Sequence, residues 1–507
     1  MKTSRLVLVV ALCTFSMAAQ KHPAVAIPTT EPGANRPAEE ENIPRNTLDA
    51  MYRTELGAAY DPVQAGQLYD AHLLLEKYFQ AKTAADRKSL VGQLEATQID
   101  PNVLGRLCRI RLHWPELRGG GVFYLNEKIG PNNVRYFIGV PKAYDRTKAW
   151  PLVIKLPTAT AFLAEPPPDA KRVVQIYTAW IQDELAKHND AIVLMPLLNL
   201  DEMYGPSYTG MNSVIQPLRD AAEHVNIDPA RVYMVGHSGA AHGVWNIALH
   251  YPTYFAAINP LAGAAAEDWQ RLRLTNLRNV LPVVWHDDND TVIKVGFSKS
   301  LVQELRSQKI DVDFDETKGL GHAPPEEIVQ SEYQRLRARV RNLYPRQVWL
   351  ATNRPDVIFN RNDWVQIYQE LETGKGQVLF FRHGTGHMTV YPNSCSIKAE
   401  VNNNQINVTA DNVNTVRFYV NDQLVSLASS VTVVVNKKEK FKGVVKTSID
   451  QMLKDQLFLG RGWRYYTGVI DIDLVPPATT QPTSRPTTKP AHKGKITVGP
   501  SSTEEKP

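Results

Sequence analysis

Cysteine is scarce in this chain: three residues in 507, one of them (Cys13) inside an apolar run at the start. Cys108 and Cys395 are too few to staple a fold, and they leave open either one bridge or two buried thiols. Neither sits at a zinc-ligand spacing, so no metal site is expected. Charge of one sign is also missing. The 57 Lys and Arg nearly balance the 52 Asp and Glu, and the nearest approach to a basic run, Lys437-Lys438-Glu439-Lys440, reads as a solvated turn. No nucleic-acid motif accompanies it, so no nucleic-acid partner is expected. No segment reaches about 18 consecutive apolar residues, so no transmembrane anchor is expected. Gly119-Gly120-Gly121 lacks the Lys-Ser/Thr of a phosphate loop and reads as a linker. No cofactor is expected.

What is present begins at the N-terminus. Lys2 and Arg5 precede an apolar run from Leu6 to Leu12, and small residues follow at Ser16, Ala18, Ala19 and Ala24-Val25-Ala26. A basic start, a short apolar stretch and a small-residue exit define a signal peptide over 1–26, cleaved after Ala18, Ala19 or Ala26. Cys13 follows Leu12 rather than a small residue, which argues against a lipid anchor. The mature chain is therefore expected in the periplasm, at the cell surface or outside the cell.

Composition then divides the rest. Residues 27–47 are rich in Pro, Glu and Asn, as a linker is. Over 48–118, Leu68, Leu73, Leu74, Leu75, Tyr78 and Phe79 recur at three- and four-residue steps, which predicts a helical region packed against the next domain. From 119 to 345, short β-branched runs (134–140, 152–156, 191–195, 232–235, 283–285, 312–314) alternate with helical stretches. That alternation predicts an α/β domain, a doubly wound, mostly parallel sheet covered on both faces. Over 346–475 the pattern becomes period two with Asn-rich turns, the mark of a small antiparallel β domain. Residues 476–507, rich in Thr, Pro and Lys, have almost nothing to bury and read as a disordered tail.

The chemistry concentrates at Arg231-Val-Tyr-Met-Val-Gly236-His237-Ser238-Gly239-Ala240-Ala241-His242. A strand runs through a glycine into a serine, then small residues, then a helix. This is the context of the Gly-x-Ser-x-Gly nucleophile elbow, with Ala240 in the last position. An acid and then a histidine should follow at later strand ends. Asp290, after the strand at 283–285, best fits the acid, with Asp287 and Asp288 as competitors. His322, between glycines and prolines after 312–314, fits the base. In that arrangement Ser238 is the nucleophile, His322 moves its proton and Asp290 orients the imidazole. The Gly239 N–H would donate to an oxyanion. His237 and His242 read as packing or pocket lining, and Tyr204, Tyr208 and Trp285 as candidate lining of a substrate pocket.

Gly236–Gly263, with Trp245, His250-Tyr251-Pro252 and Phe255-Ala-Ala-Ile-Asn-Pro-Leu-Ala-Gly263, resembles bacterial secreted α/β-hydrolases. These group with the prolyl-oligopeptidase (S9) catalytic domain, phospholipase/carboxylesterases and polyhydroxybutyrate-depolymerase-like or feruloyl esterases. The resemblance spans about 130–340 and implies an α/β-hydrolase sheet, with a second oxyanion donor in the loop after the third strand. That loop usually reads His-Gly. Here it reads Leu156-Pro157-Thr158-Ala159, and Ala159 or Thr158 is expected to supply the N–H. No propeller pattern precedes the α/β region, so a full oligopeptidase architecture is not expected. The function expected is hydrolysis of a small carboxylic ester, carbohydrate-linked or not. An S9-like peptidase is the second reading, and a quiet hydrolase fold used for binding at the cell surface is the third.

Overall fold

Strands whose residues are apolar on both faces make the centre of the molecule. The computed structural model describes residues 42–474, apart from 116, 118, 130–131, 158–169, 198–207, 266, 354–359, 371–376, 381–386 and 391. The expected signal peptide, most of the expected linker and the expected tail lie outside the described residues. Eight strands form one sheet: β1 (Gly121–Ile129), β2 (Asn132–Val140), β3 (Trp150–Lys155), β4 (Ile192–Pro196), β5 (Ile227–His237), β6 (Ala257–Leu261), β7 (Leu281–Asp287) and β8 (Asp313–Thr317). Their order is β1-β2-β4-β3-β5-β6-β7-β8. β1 and β2 pair antiparallel, β2 pairs antiparallel with β4, and every pair from β4 onward is parallel.

Alternate residues of each strand feed opposite faces. Leu152, Ile154, Ile192, Leu194 and Val284 join one core cluster, whereas Val153 and Val283 join another with Tyr333 and Leu336. The first face is covered by α6 (Tyr208–His224), α7 (Gly239–His250) and α9 (Val295–Ser307), the short α8 (Asp268–Arg271) lying between the last two in sequence, and the second by α5 (Ala170–Lys187) and α10 (Glu326–Arg337). The connection β3–α5–β4 runs one way along the sheet and β5–α7–β6 runs the other. The strand order thus reverses between β3 and β5, which opens a crevice beyond their carboxyl ends. Gly119 and Gly120, read as linker, form a left-handed turn (φ 80° and 66°) that leads directly into β1.

The N-terminal helices are α1 (Arg45–Leu56), α2 (Ala65–Gln80), α3 (Ala84–Ala96) and α4 (Pro101–Leu107). α1 begins inside the segment read as linker, because Ile43 is buried and its N–H bonds to the Leu112 carbonyl (3.0 Å). These helices do not close a core alone. Leu48, Tyr52, Leu75 and Leu104 pack with Ile449, Met452, Leu453 and Tyr465, far along the chain.

The C-terminal region is a sandwich around one shared core. One sheet has the order β18-β17-β15-β14-β9 and the other β10-β11-β16-β19. The first comprises β9 (Gln347–Thr352), β14 (Cys395–Asn402), β15 (Gln405–Asp411), β17 (Ser430–Val435) and β18 (Lys438–Val444). The second comprises β10 (Arg361–Asn362), β11 (Val365–Glu370), β16 (Val413–Val420) and β19 (Gly468–Asp473), and a separate hairpin joins β12 (Gln377–Phe380) to β13 (His387–Val390). One pair departs from the antiparallel expectation. The chain leaves β15, crosses to β16 in the other sheet and returns, so β17 runs parallel to β15 (Ile406↔Val433). Helix α11 (Ile449–Leu459), absent from the sequence reading, leaves this region to complete the N-terminal helical core. Cys108 and Cys395 are both buried and form no disulfide. No described helix is long and apolar enough to cross a membrane.

Candidate active site

At the end of β5 the backbone turns sharply at Ser238, with φ 57° and ψ −120°. A non-glycine residue at positive φ is strained, and the neighbours hold it there. The Ser238 N–H donates to the Leu261 carbonyl of β6 (2.9 Å), and its own carbonyl accepts from Ala241 N–H (3.0 Å). The turn leaves no room for side chains. A Cβ on Gly236 would stand 2.7 Å from the Ala240 carbonyl, and one on Gly263 would stand 2.7 Å from the Ala241 Cβ. Ala240 is itself fully buried, so the small residue that replaces the second motif glycine is in a tight place.

Ser238 occupies the N-cap of α7, where serine normally accepts a hydrogen bond from the first turn. Its side chain makes no such cap. Instead Oγ lies 2.9 Å from His322 Nε2, and His322 Nδ1 lies 2.7 Å from Asp290 Oδ2. The Asp290 carboxylate fixes the tautomer: Nδ1–H donates to it, and Nε2 accepts from the serine hydroxyl. Exposure falls along this line, from 16 % for the His322 side chain to 0 % for Asp290. Burial alone would push the Asp290 carboxyl up. Hydrogen bonds from His322 and from the N–H groups of Ile293 and Val292 (2.9 and 2.8 Å) outweigh it and hold the pKa below the ordinary value. Such a serine–histidine–carboxylate line can transfer a proton from the hydroxyl during nucleophilic attack.

The competing carboxylates have other tasks. Asp287 accepts from Gly321 N–H (2.8 Å), Asn289 N–H (2.9 Å) and the Thr317 hydroxyl (2.8 Å). Burial raises its pKa, but these bonds bring it below the ordinary value. Asp288 accepts from Gly319 N–H (3.1 Å). Both therefore clamp the loop that carries His322, whose glycines 319 and 321 have φ 73° and 83°. His237 braces the same loop from the elbow side: its Nε2–H donates to the His322 carbonyl (2.8 Å). Burial lowers the His237 pKa, more than the hydrogen bond to the His322 carbonyl raises it, and so favours the neutral ring.

Other candidates fall away from this line or outside the described residues. His242 donates from Nδ1 to the Ala264 carbonyl (2.7 Å). Trp285 is fully buried against Leu261 and Ala262. Thr158, Ala159 and Tyr204 lie outside the described residues, and nothing is described of the Tyr208 side chain. Gly239 is the first residue of α7, where an N–H has no intrahelical partner. Among the described residues no group of three His, Cys, Asp or Glu could hold a metal ion. One member of the site was absent from the sequence reading: His286, 3.1 Å from Asp290 Oδ2. Its signal was its place four residues before the acid at the end of the same strand.

Sheet order, crossover and helical cover define an α/β-hydrolase fold. Solved structures similar to this chain include a thermostable esterase, at 22% identity over 40% of this chain and 55% of that one, with a TM-score of 0.32. A putative dipeptidyl aminopeptidase IV from Bacteroides ovatus matches at 14% identity over 43% of this chain and 36% of that one (TM-score 0.35). A putative dienelactone hydrolase from Klebsiella pneumoniae matches at 15% identity over 43% and 97% (TM-score 0.34). The chain thus spans about half of the esterase and about a third of the aminopeptidase. No protein-family model matches the chain, and no curated protein matches it.

Proposed function

We propose that this chain is an exported serine hydrolase that cleaves small carboxylic esters through Ser238, His322 and Asp290. The observation that carries the reading is the strained Ser238, whose hydroxyl forgoes the helix cap and faces His322 at 2.9 Å. Ser238 Oγ attacks the ester carbonyl carbon while His322 Nε2 takes its proton. The negative oxygen that forms is stabilised by the Gly239 N–H and by a second N–H from the loop after β3, which contains Ala159. One such donor contributes about 2.7–4 kcal/mol to the transition state. As the intermediate collapses, His322 returns the proton to the leaving alkoxide, and the acyl group stays on Ser238. Water then gives a proton to His322 and attacks the acyl-serine, the proton returns to Oγ, and the carboxylic acid leaves. Asp290 remains a carboxylate throughout, in keeping with its lowered pKa, and stabilises the imidazolium. Export rests on the N-terminal sequence pattern.

A fluorophosphonate probe should label the wild type and fail to label Ser238→Ala. A folded wild type that takes no label overturns the enzyme reading and leaves a binding role. Parallel assays on p-nitrophenyl acetate and on short peptide amides decide the substrate class: turnover of the ester alone supports the proposal, and faster turnover of the amides replaces it with a peptidase.

A further inference from the structure

Asp290 is held by more than His322. Its Oδ1 accepts two backbone N–H groups, and its Oδ2 lies between two imidazoles: His322 Nδ1 at 2.7 Å and His286 Nε2 at 3.1 Å. His286 is fully buried at the end of β7. Its Nε2 also lies 2.8 Å from the Ile293 carbonyl, and its Nδ1 lies 2.7 Å from the Ser298 hydroxyl on α9. Nε2 faces only acceptors, so it carries the proton. Nδ1 is then the acceptor, and the Ser298 hydroxyl is the donor that completes it.

The geometry points to His286 as a positioning residue that, locked by Ser298, aims the Asp290 carboxylate at His322. This rests on the serine-hydrolase reading. Oδ2 is the oxygen that must meet the His322 Nδ1–H, and two N–H groups on Oδ1 alone leave the carboxylate free to rock about its Cβ–Cγ bond. The His286 N–H, shared between Asp290 Oδ2 (3.1 Å) and the Ile293 carbonyl (2.8 Å), restrains that rotation. Its hydrogen bond to Ile293 also ties the acid loop to the same ring, so β7, the acid loop and α9 share one anchor. A carboxylate that wanders from this aim leaves the imidazole in the wrong tautomer part of the time. The loss should therefore appear in the chemical step rather than in substrate binding.

The test compares wild type, His286→Leu, His286→Gln and Ser298→Ala by fluorophosphonate labelling rate, kcat and KM for p-nitrophenyl acetate, and thermal melting. Losing a hydrogen bond to a charged acceptor should slow labelling and lower kcat by about 10- to 100-fold in His286→Leu, with KM nearly unchanged. Glutamine restores most of this, because its amide can donate to Asp290 and its oxygen can accept from Ser298. Ser298→Ala should fall between. A folded His286→Leu that labels at the wild-type rate overturns the role, as does a folded His286→Gln that loses as much as the leucine. Should the leucine variant fail to fold, an unchanged rate in Ser298→Ala overturns it. A wild type that takes no label overturns the serine-hydrolase reading, whereas a labelled wild type with unaffected variants overturns only the role of His286.

Discussion

Two glycines beside Ser238 look alike in the sequence and differ in what surrounds them. A Cβ on Gly236 would press on the Ala240 carbonyl at 2.7 Å and on Val244 Cγ2 at 2.9 Å, whereas one on Gly239 would meet nothing within 4 Å. The Ala240 backbone cannot swing aside without moving Ser238. Gly236→Ala should therefore cost about 1–3 kcal/mol of stability through overpacking and remove most fluorophosphonate reactivity. Gly239→Ala keeps its N–H and should stay within about 0.5 kcal/mol of wild type, with labelling retained. Urea unfolding and labelling rates check both, and equal losses in the two variants would refute the packing argument. At this scale the sequence carried much of the site. Ser238, Asp290 and His322 stand in a motif and in a chain order that chemistry restricts, and the structure brings these three side chains together. The tasks of Asp287, Asp288, His237 and His286 were not legible. Each depends on which N–H or carbonyl the folded loops place beside it, and residue type alone does not carry that information.

Among the elements, α10 holds an unusual charge. Glu332 is fully buried, accepts from Asn259 Nδ2 of β6 (3.1 Å) and pairs with Arg335 (2.6 Å). Burial raises its carboxyl to about 7, more than Arg335 can offset. A folded pKa above the unfolded one gives a contribution that is complete below about pH 4.5 and is lost as pH rises through 7. Glutamine keeps the acceptor for Asn259 and carries no charge to bury. From pH 5 to pH 8 the stability difference should therefore shift in favour of Glu332→Gln by about 1–3 kcal/mol. Chemical denaturation at the two pH values measures it, and a pH-independent difference would rule out the buried charge as the cause. Strands such as β3 and β4 were legible because parallel strands buried on both faces read as continuous apolar runs. β6 was hidden by Asn259 and Pro260, which a buried strand tolerates only with partners the sequence does not name. α11 was hidden for another reason: it lies among strands, and its apolar face answers helices nearly 400 residues away.

That remote pairing sets the behaviour of the whole molecule. The N-terminal helices depend on the chain at 449–465 for their core, and a buried ion pair locks the join. Arg461 donates twice to Glu76, at 2.6 Å each, and also to the Ile110 carbonyl (3.0 Å). Burial alone would raise the Glu76 carboxyl. The Arg461 guanidinium, with His72 beside it, outweighs burial and holds the pKa far below the carboxylate range. Glu76→Gln leaves Arg461 buried without its counter-charge, so it should cost about 3–5 kcal/mol at pH 7. The sign with pH follows from the depressed pKa. The contribution is present above the unfolded value of about 4.3 and fades as pH falls below it, toward the folded pKa. The gap between wild type and variant should therefore narrow between pH 5 and pH 3. His72 Nε2 lies 3.5 Å from Glu76 Oε1, and burial lowers its pKa against the opposing pull of Glu76, so the comparison is made in a His72→Gln background that removes its titration. Urea midpoints at pH 7, 5 and 3.5 give the curve. The join also predicts that the helical region and the C-terminal sandwich unfold together, because neither side of the shared core stays covered without the other. A separate early transition of the N-terminal helices, or a gap constant with pH, would show that the Glu76–Arg461 pair does not hold the two ends of the chain together.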